Sequence, residues 1–440
     1  MATSVRSLVD ALAAIVGRDA VRDDASALAA ASVDGLIPRA VVRPRRQEAV
    51  AHVLALAHEE QLAVVPRGSG SALTLGAPPS RLDVVLDVTA LDRVVEWNPE
   101  DLTVTVEAGA TLGTLNETVL RAKRERLPID PPGWRVRTIG GLIATNESGP
   151  LRARYGTMRD LLLGLRFVQA DGVTTWGGAR VVKSVTGYDV PKLLVGALGT
   201  VGVVVETTLR LHPVPESERS WLLTGPSLEM MQTCLDRVAD SPLVPDRLEV
   251  CDTVALAASG VGDSKAALAV SFGSVANAVA EQGERLVSIA HRAGASATER
   301  PMDLWQEIER ATTPAGGDIV LEIATLPARI AVTMRAVGRE VDTLGGGVRC
   351  ALTARGTVGT IQAVITGAAP ATVAPTIARL REAVADVDGH VVVRRAPREL
   401  RAVVDPWGPV DADAFELMRR IRQEFDARGV LNPGRFVGRL

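Results

Sequence analysis

Cysteine is almost absent from this chain. Its 440 residues hold three, Cys234, Cys251 and Cys350, far apart and odd in number. That excludes a disulfide framework, and no CxxC pattern offers a zinc or iron–sulfur site. Histidine is nearly as scarce: the five, at positions 52, 58, 212, 291 and 390, never take HxxxH spacing, so a protein-held metal is not expected. Charge of one sign is also missing. The 49 Lys and Arg against 52 Asp and Glu leave a net charge of -3, and no basic cluster is interleaved with aromatics, which removes nucleic acid as a partner. No run of about 18 apolar residues occurs. The nearest candidate, Leu193 to Val205, is short and punctuated by glycine, so no transmembrane segment is expected. The N-terminal MATSVRSLVDALAAIVG carries Asp10 among its apolar residues and lacks a basic start before an unbroken apolar core. That argues against a signal peptide and for a cytoplasmic chain.

What is abundant is glycine, and it is concentrated. From Ile139 to Pro213 it recurs at 140, 141, 149, 156, 164, 172, 177, 178, 187, 196, 199 and 202, mostly beside apolar β-branched runs. Glycine weakens strands, so this density needs a reason. One reason is close approach of backbone to a ligand; the other is a set of tight turns in an all-β region. A second glycine-rich site, RGSGSALTLGAP, follows the strand Ala63-Val64-Val65-Pro66. Its successive N–H groups suit an anion nest, although an ordinary β-turn has the same composition.

Around these sites the coarse pattern is readable. Residues 1–37 read as a helix and an Ala-rich approach, Pro38 to Pro44 as a short strand, and Glu48 to Gln61 as a helix with Val50, Val53, Leu54 and Ala57 on one face. His52 and His58 fall on that helix as surface or half-buried residues. Strands follow at Asp83–Val88, Val94–Trp97 and Thr103–Ala108; the alternation Thr103-Val104-Thr105-Val106-Glu107 predicts one buried face. Thr111 can cap a helix whose stripe is Leu112, Leu115, Val119 and Leu120. The prolines of LPIDPP, residues 127–132, stiffen the approach to Gly140. Beyond Pro213, strands at 247–250, 266–272, 318–326, 360–366 and 390–395 interleave with helices near 275–292, 328–341 and 373–384. That rhythm predicts a largely antiparallel sheet in two similar halves. A last helix places Leu417, Met418, Ile421 and Phe425 on one face, with Gly429 after it.

Four motifs occur in order: Gly140-Gly141 with Asn146 and Gly149; Tyr155-Gly156-Thr157 with Asp160; Val181 and Lys183 with Gly187-Tyr188-Asp189; and Gly199-Thr200 with Gly202, Glu206 and Leu211. The sequence thereby resembles the FAD-binding domain of the vanillyl-alcohol oxidase and p-cresol methylhydroxylase (PCMH) superfamily. The tail, with Phe425, Asp426, Gly429, Leu431, Asn432, Pro433 and Gly434, is similar to the family's C-terminal signature. The resemblance implies an α+β fold: a two-subdomain PCMH-type FAD-binding domain plus an α/β cap domain with a largely antiparallel sheet. The corresponding boundaries are an N-terminal helical segment 1–37, the FAD domain 38–214, the cap 215–412, and a C-terminal segment 413–440 that returns to the FAD domain.

It also implies the cofactor contacts. Pro66, Arg67, Gly68, Ser69, Gly70, Ser71 and Gly76 would form the pyrophosphate loop. Thr138, Ile139, Gly140, Gly141, Ala144 and Thr145 would line the flavin and its chain, with Gly149, Gly156, Thr157, Gly202, Val203 and Asn432 beside the same cofactor. Members that attach flavin covalently use a histidine in the loop, and residues 66–77 contain none; nor is there a cysteine near Ile129 to Trp134. FAD should be held non-covalently. Lys183 either serves the motif or pairs with Asp189. Ser184 and Leu198 depart from the Asn and Glu common in the family.

The family's D-2-hydroxy acid dehydrogenase branch carries a histidine-rich metal passage where this chain reads ALTARGTVGTIQAVITG, Ala351 to Gly367. The E-type FAD subunit of bacterial glycolate oxidase lacks those histidines, and the present VVDPWGP and LNPGRFVG runs resemble it. That likeness implies a D-type flavoprotein and an iron–sulfur F-type subunit as partners, a small hydroxy acid as substrate, and membrane association through the complex. The alternatives are a stand-alone FAD dehydrogenase, with Arg355, Arg394 or Arg395 gripping a carboxylate unless they are surface charges, and a non-catalytic structural subunit. No catalytic residue, and no general base, stands out in the cap.

Overall fold

The computed structural model describes residues 5–179, 188–261 and 265–440, so Val181, Lys183, Ser184 and Gly187 lie outside the described residues. The first sheet is small. Strands β1 (Val21–Arg22), β2 (Ala40–Val42), β3 (Val64–Arg67) and β4 (Val84–Asp87) lie in the order β1-β2-β4-β3. β2 and β3 run parallel to β4, and β1 runs antiparallel to β2. The helix Gln47–Glu59 packs Val50, Val53, Leu54 and Ala57 into the same core as Val64, Val84 and Leu86, the face its periodicity predicts. His52 is exposed on it and His58 half-buried. The helix Val5–Val16 adds Leu8, Val9 and Leu12 to that core. The tail returns here too: Leu431 bridges Val64 in parallel, with Val64 N donating to Val430 O at 2.8 Å.

The second sheet takes β5 (Val94–Asn98) and β6 (Thr103–Glu107). A two-residue β7 (Glu125–Arg126) intervenes before β8 (Leu162–Val168), β9 (Thr174–Gly178) and β10 (Val203–Arg210). All pairs are antiparallel, in the order β5-β6-β10-β8-β9, and β7 pairs with β11 (His212–Pro213). The expectation of one buried face on β6 is overturned, since every residue of it is buried. Val104 and Val106 enter the apolar core, whereas the polar row is satisfied in place. Thr105 Oγ1 meets Thr208 Oγ1 at 2.9 Å, and the buried Glu107 takes Arg93 at 2.8 Å. The start of the first subdomain's helix covers this row, Gln47 donating to Glu206 on β10 at 3.0 Å. Alternation marked two environments, not a dry side and a wet one.

Two other expectations shift. Thr111 does act as a cap, its Oγ1 accepting from Thr114 N at 3.1 Å, but Thr114–Val119 is a wide π turn and not a regular helix. The C-terminal helix Ala412–Phe425 packs against the second core through Ile421 and Phe425, while Leu417 is 60% exposed.

The third sheet is the cap. Its strands are β12 (Ser217–Gly225), β13 (Arg247–Asp252), β14 (Ala266–Ser274), β15 (Ser296–Arg300), β16 (Ile319–Ala324), β17 (Arg349–Arg355), β18 (Thr360–Thr366) and β19 (His390–Arg395). The order is β15-β12-β14-β13-β17-β18-β16-β19, antiparallel at every pairing. Each half is a β-α-β-β-α-β unit whose strands run 4-1-3-2, and the halves meet at their second strands, β13 and β17. Four helices, Leu228–Ala239, Ala276–Arg292, Ile330–Asp342 and Pro370–Val384, cover one face over Leu248, Val250, Leu321 and Leu352. On the other face Cys251, Val320, Ala351 and Val364 meet the helices Thr253–Ser259 and Leu304–Thr312. The register sets Arg247, Glu249, Arg355, Gln362 and Glu322 on this second face.

Candidate functional site

A cleft opens where β3 ends. One cavity is walled by Pro66, Arg67, Gly68, Ser69, Gly70, Ser71, Thr138, Gly141, Ala144, Thr145 and Asn432, together with Ala72, Leu73, Arg137, Leu142, Leu198 and Arg435. A second shares Pro66, Arg67, Gly68, Gly141, Ala144 and Leu198, and adds Gly140, Gly199, Gly202 and Val203. No carboxylate lines either, while Arg67, Arg137 and Arg435 do. That is the polarity a diphosphate ester needs.

The loop touches its floor closely: a Cβ at Gly68 would lie 2.1 Å from Thr138 Oγ1. Thr138 in turn caps the helix Ile139–Thr145, accepting from Gly141 N at 3.3 Å. Gly140 and Gly202 have packing reasons as well, since a Cβ would reach Ala108 Cβ at 2.8 Å and the Phe167 ring at 2.5 Å respectively. Leu198, where the family often has Glu, holds a positive φ of 51°. It keeps that strained turn through its N–H to Ala144 O at 2.9 Å and its carbonyl to Asn432 Nδ2.

Other predicted residues sit elsewhere. Ile139 is wholly buried in the second core. Gly76 packs under the tail, where a Cβ would meet Arg435 O at 2.4 Å. Gly156 and Thr157 line neither cavity; Thr157 caps the helix Met158–Leu161, with its N–H donating to Asp160 Oδ2 at 2.7 Å. Gly149 belongs instead to a cavity under the cap sheet. Sequence reasoning missed Arg435, although it stands inside the NPGR run. Buried, with burial lowering it to about 10, it donates from Nη2 to Leu75 O at 2.9 Å and so supports the loop from beneath. Nearby the buried Arg401 pairs with the half-buried Asp34 and donates to Gly76 O at 3.1 Å. That clamp ties the N-terminal segment, the loop and the cap's last helix together.

From the first cavity, Ser71, Ala72 and Arg137 continue into a space bounded above by Thr312, Gln362, Arg394 and Arg395. This in turn shares Pro132, Thr312 and Gln362 with the cavity of about 180 Å³ beneath the cap sheet. Asp130, Pro132, Trp134 and Gly149 form its floor; Arg247, Glu249, Trp305, Glu309 and Arg355 form its roof. Roof and floor are bonded to each other. Arg247 Nε donates to Asp130 Oδ2 at 3.1 Å, Arg355 Nη2 to Ser148 O at 2.6 Å, and Gly133 N to Glu309 Oε1 at 2.7 Å. Of the three arginines read as carboxylate grips or surface charges, Arg355 is buried, and Arg394 and Arg395 are half-buried.

Polar atoms remain unpartnered around this cavity: Glu249 Oε2, Arg247 Nη1 and Arg355 Nε. Burial raises the Glu249 carboxyl to about 7, against the pull of Arg355 and with a push from Asp130. Glu322 behaves oppositely: burial would raise it, but Arg394, Arg355 and Arg152 together hold it below the usual carboxylate range. Two carboxylates on one sheet face are thus driven in opposite directions by their surroundings. The signal for Glu249 was present in RLEV, where polar residues alternate with core-facing Leu248 and Val250. Among the described residues no group of three or more His, Cys, Asp or Glu could hold a metal, and no helix is long and apolar enough to cross a membrane.

Known proteins resemble the chain in the same regions. A family model for an FAD binding domain matches residues 38–178, and one for the C-terminal domain of FAD linked oxidases matches 409–436. Glycolate oxidase subunit GlcD of Bacillus subtilis is 32% identical over 49% of this chain and 46% of its own length. A D-lactate dehydrogenase of Archaeoglobus fulgidus is 34% identical over 48% and 46%. The chain thus spans about half the length of these relatives. An FAD-linked oxidoreductase of Mycobacterium tuberculosis aligns over 91% of both chains at 26% identity. Among solved structures, substrate-bound p-cresol methylhydroxylase superposes with a TM-score of 0.79 over 98% of this chain and 96% of that one, at 17% identity. An alkyldihydroxyacetonephosphate synthase gives 0.77 over 97% and 84%, also at 17%. The α+β class, the FAD-binding domain and the antiparallel cap are therefore those expected. Residues 38–178 and 409–436 thus match an FAD binding domain and the C-terminal domain of FAD linked oxidases, and the chain has the fold of p-cresol methylhydroxylase.

Proposed function

We propose that the chain is an FAD-dependent oxidoreductase that oxidises a small 2-hydroxy acid of the glycolate or D-lactate type in the cavity under its cap. The observation that carries this is the pair of half-satisfied guanidinium groups, Arg247 and Arg355, beside a carboxylate in a small space that communicates with the cofactor cleft. A guanidinium is suited to a carboxylate ligand, and an unpartnered buried N–H favours a ligand that supplies an acceptor. The names of the relatives, glycolate oxidase and D-lactate dehydrogenase, point to the same substrate class.

FAD would be held by the backbone of Gly68–Ser71 and the glycines at 140, 141 and 202, with Arg67, Arg137 and Arg435 balancing its diphosphate. When bound it supplies the two-electron acceptor. With no histidine between residues 66 and 77, the attachment is non-covalent and the cofactor dissociable. This chain's residues position the substrate: Arg355 and Arg247 fix its carboxylate, Trp305 walls off water, and the cap contacts Gly133–Glu309 and Asp130–Arg247 keep roof and floor in register.

A second reading is favoured by the tail, which resembles the E-type subunit of glycolate oxidase. In it the chain works in the cytoplasm or at a membrane face beside a D-type flavoprotein and an iron–sulfur subunit. One experiment separates the two. The purified yellow chain is mixed anaerobically with glycolate or D-lactate and its visible bands are followed. Bleaching by the chain alone supports the self-sufficient enzyme; bands that bleach only once partner subunits are added support the complex. A colourless chain that ignores added FAD would sink both.

A further inference from the structure

We infer that Glu249 is the proton acceptor of this oxidation, its Oε2 taking the hydroxyl proton of a 2-hydroxy acid whose carboxylate rests on Arg355 and Arg247. The inference rests on the function proposed above and deepens it. Arg247, Glu249 and Arg355 all line one small space, and each keeps a buried polar atom without a partner: two are N–H donors and one is a carboxylate oxygen. Leaving them so is unfavourable, and the ligand that completes them must offer an acceptor to the arginines and an O–H to the glutamate. A 2-hydroxy acid carries these groups on adjacent carbons.

The neighbouring carboxylates are otherwise engaged. Asp130 accepts from Leu151 N at 2.9 Å and from Arg247 at 3.1 Å. Glu309 is bonded to Gly133 N at 2.7 Å. Glu322 is held in its ionised form by Arg394, Arg355 and Arg152, which makes it a poor proton acceptor. Glu249 is 4% exposed and half-compensated by the cross-strand Arg355, so its two protonation states are close in free energy near neutrality. The charged and titratable groups around it are Arg355 on β17, Arg247 on its own strand, Asp130 below, and Glu309 and Arg135 along the cavity wall.

The step balances. The O–H bond breaks and its electron pair becomes the second bond of the carbonyl; the proton joins Glu249 Oε2. The carbon's hydrogen leaves with its electron pair to FAD as the two-electron oxidant. The product is a 2-oxo acid, and the carboxyl later returns its proton to solvent.

The test compares the FAD-loaded chain with its Glu249→Gln variant in two measurements. Anaerobic bleaching by D-lactate or glycolate is recorded against pH. The wild-type rate should rise through about pH 7 as Glu249 ionises, and the variant should be slower by about 10²- to 10⁴-fold with that inflection gone. Oxalate, which has the anion but no hydroxyl to oxidise, is titrated calorimetrically near pH 7.5 in buffers of different ionisation heat. Wild type should take up a proton on binding, because a second anion raises the Glu249 carboxyl further, and the variant should not. A variant that keeps both the inflection and the proton uptake overturns the assignment. Wild type that no 2-hydroxy acid bleaches, with or without partners, overturns the functional reading instead. If Glu249→Gln does not fold, Glu249→Asp replaces it: withdrawal of the carboxylate by one methylene should slow bleaching while preserving proton uptake.

Discussion

Replacing Gly68 by alanine puts the contact between the two glycine-rich sites under direct strain. The new Cβ would sit 2.1 Å from Thr138 Oγ1, 3.1 Å from Thr138 Cβ and 3.2 Å from its Cγ2. Ordinary carbon contacts are about 3.5–4.0 Å, so the oxygen is more than ~1 Å too near. The backbone at Gly68 can hold alanine, because its φ is not positive; space is the whole difficulty. Two escapes exist. Thr138 can rotate, which surrenders its bond from Gly141 N and with it a helix cap worth about 0.5–2 kcal/mol. Otherwise the loop moves off its floor by about 1 Å, into the space the diphosphate would occupy. The first route alone weakens FAD binding by roughly 2- to 30-fold, at about 1.4 kcal/mol per tenfold; the second weakens it more. The assay is titration of apo-protein with FAD, read by quenching of flavin fluorescence. Thr138→Ala supplies the control, since it removes the clashing oxygen and the cap together. The double variant should then bind FAD better than the sum of the single losses predicts. Wild-type affinity in Gly68→Ala, or strict additivity in the double variant, would refute the reasoning.

Three further outcomes follow from burial and charge. Asp34→Asn strands the guanidinium of Arg401, which is 1% exposed, and should reduce stability by about 3–5 kcal/mol in urea unfolding; Asp34→Leu with Arg401→Met should recover most of it. Asp246 is buried beside β7 and burial raises it to about 6, with Arg126, 3.8 Å away, opposing. Its native carboxyl therefore binds a proton more tightly than the unfolded one, so its contribution is most favourable below about pH 4 and is lost as pH rises through about 6. Asp246→Asn should be more stable than wild type at pH 8 and equal to it at pH 4, by thermal unfolding; the reverse order would count against burial as the cause. Arg355→Met should retain FAD yet raise KM for a 2-hydroxy acid by about 10- to 100-fold, as expected for losing a charge-assisted hydrogen bond of about 1.5–3 kcal/mol. An unchanged KM in steady-state turnover would remove Arg355 from the site.

Much of this was legible because it is local. The helix Gln47–Glu59, the strand before the first loop and the paired cap segments each bury one periodic face, and periodicity survives in sequence. The glycine loops were legible through their order along the chain. What escaped reading depends on pairing across the fold. β1 is two residues long and exists only because β2 lies beside it. β12 and β17 were not foreseen as strands, although β17 forms the junction of the cap with β13. Motif position alone could not show that Gly76 packs against Arg435 and Gly156 against Asp160. Arg355 looked like a surface charge, as most arginines are, because its burial follows from a register with Glu249 more than 100 residues away.

The meeting of the cap's halves at β13 and β17 has a consequence for how such a pocket could arise. Two identical units joined about a symmetry axis must present each strand pairing twice, once on either side of that axis. Glu249 opposite Arg355 would then be mirrored by a second acid and a second base. In a single continuous chain the two copies mutate separately, and the strands can carry Glu249 facing Arg355 at one end and Cys251 facing Thr353 at the other. One flank then carries a carboxylate and a guanidinium while its counterpart becomes packing under the helix Thr253–Ser259. Fusion of the halves frees the interface from its own symmetry, and an asymmetric molecule with an acid at one end and an alcohol at the other can be told front from back.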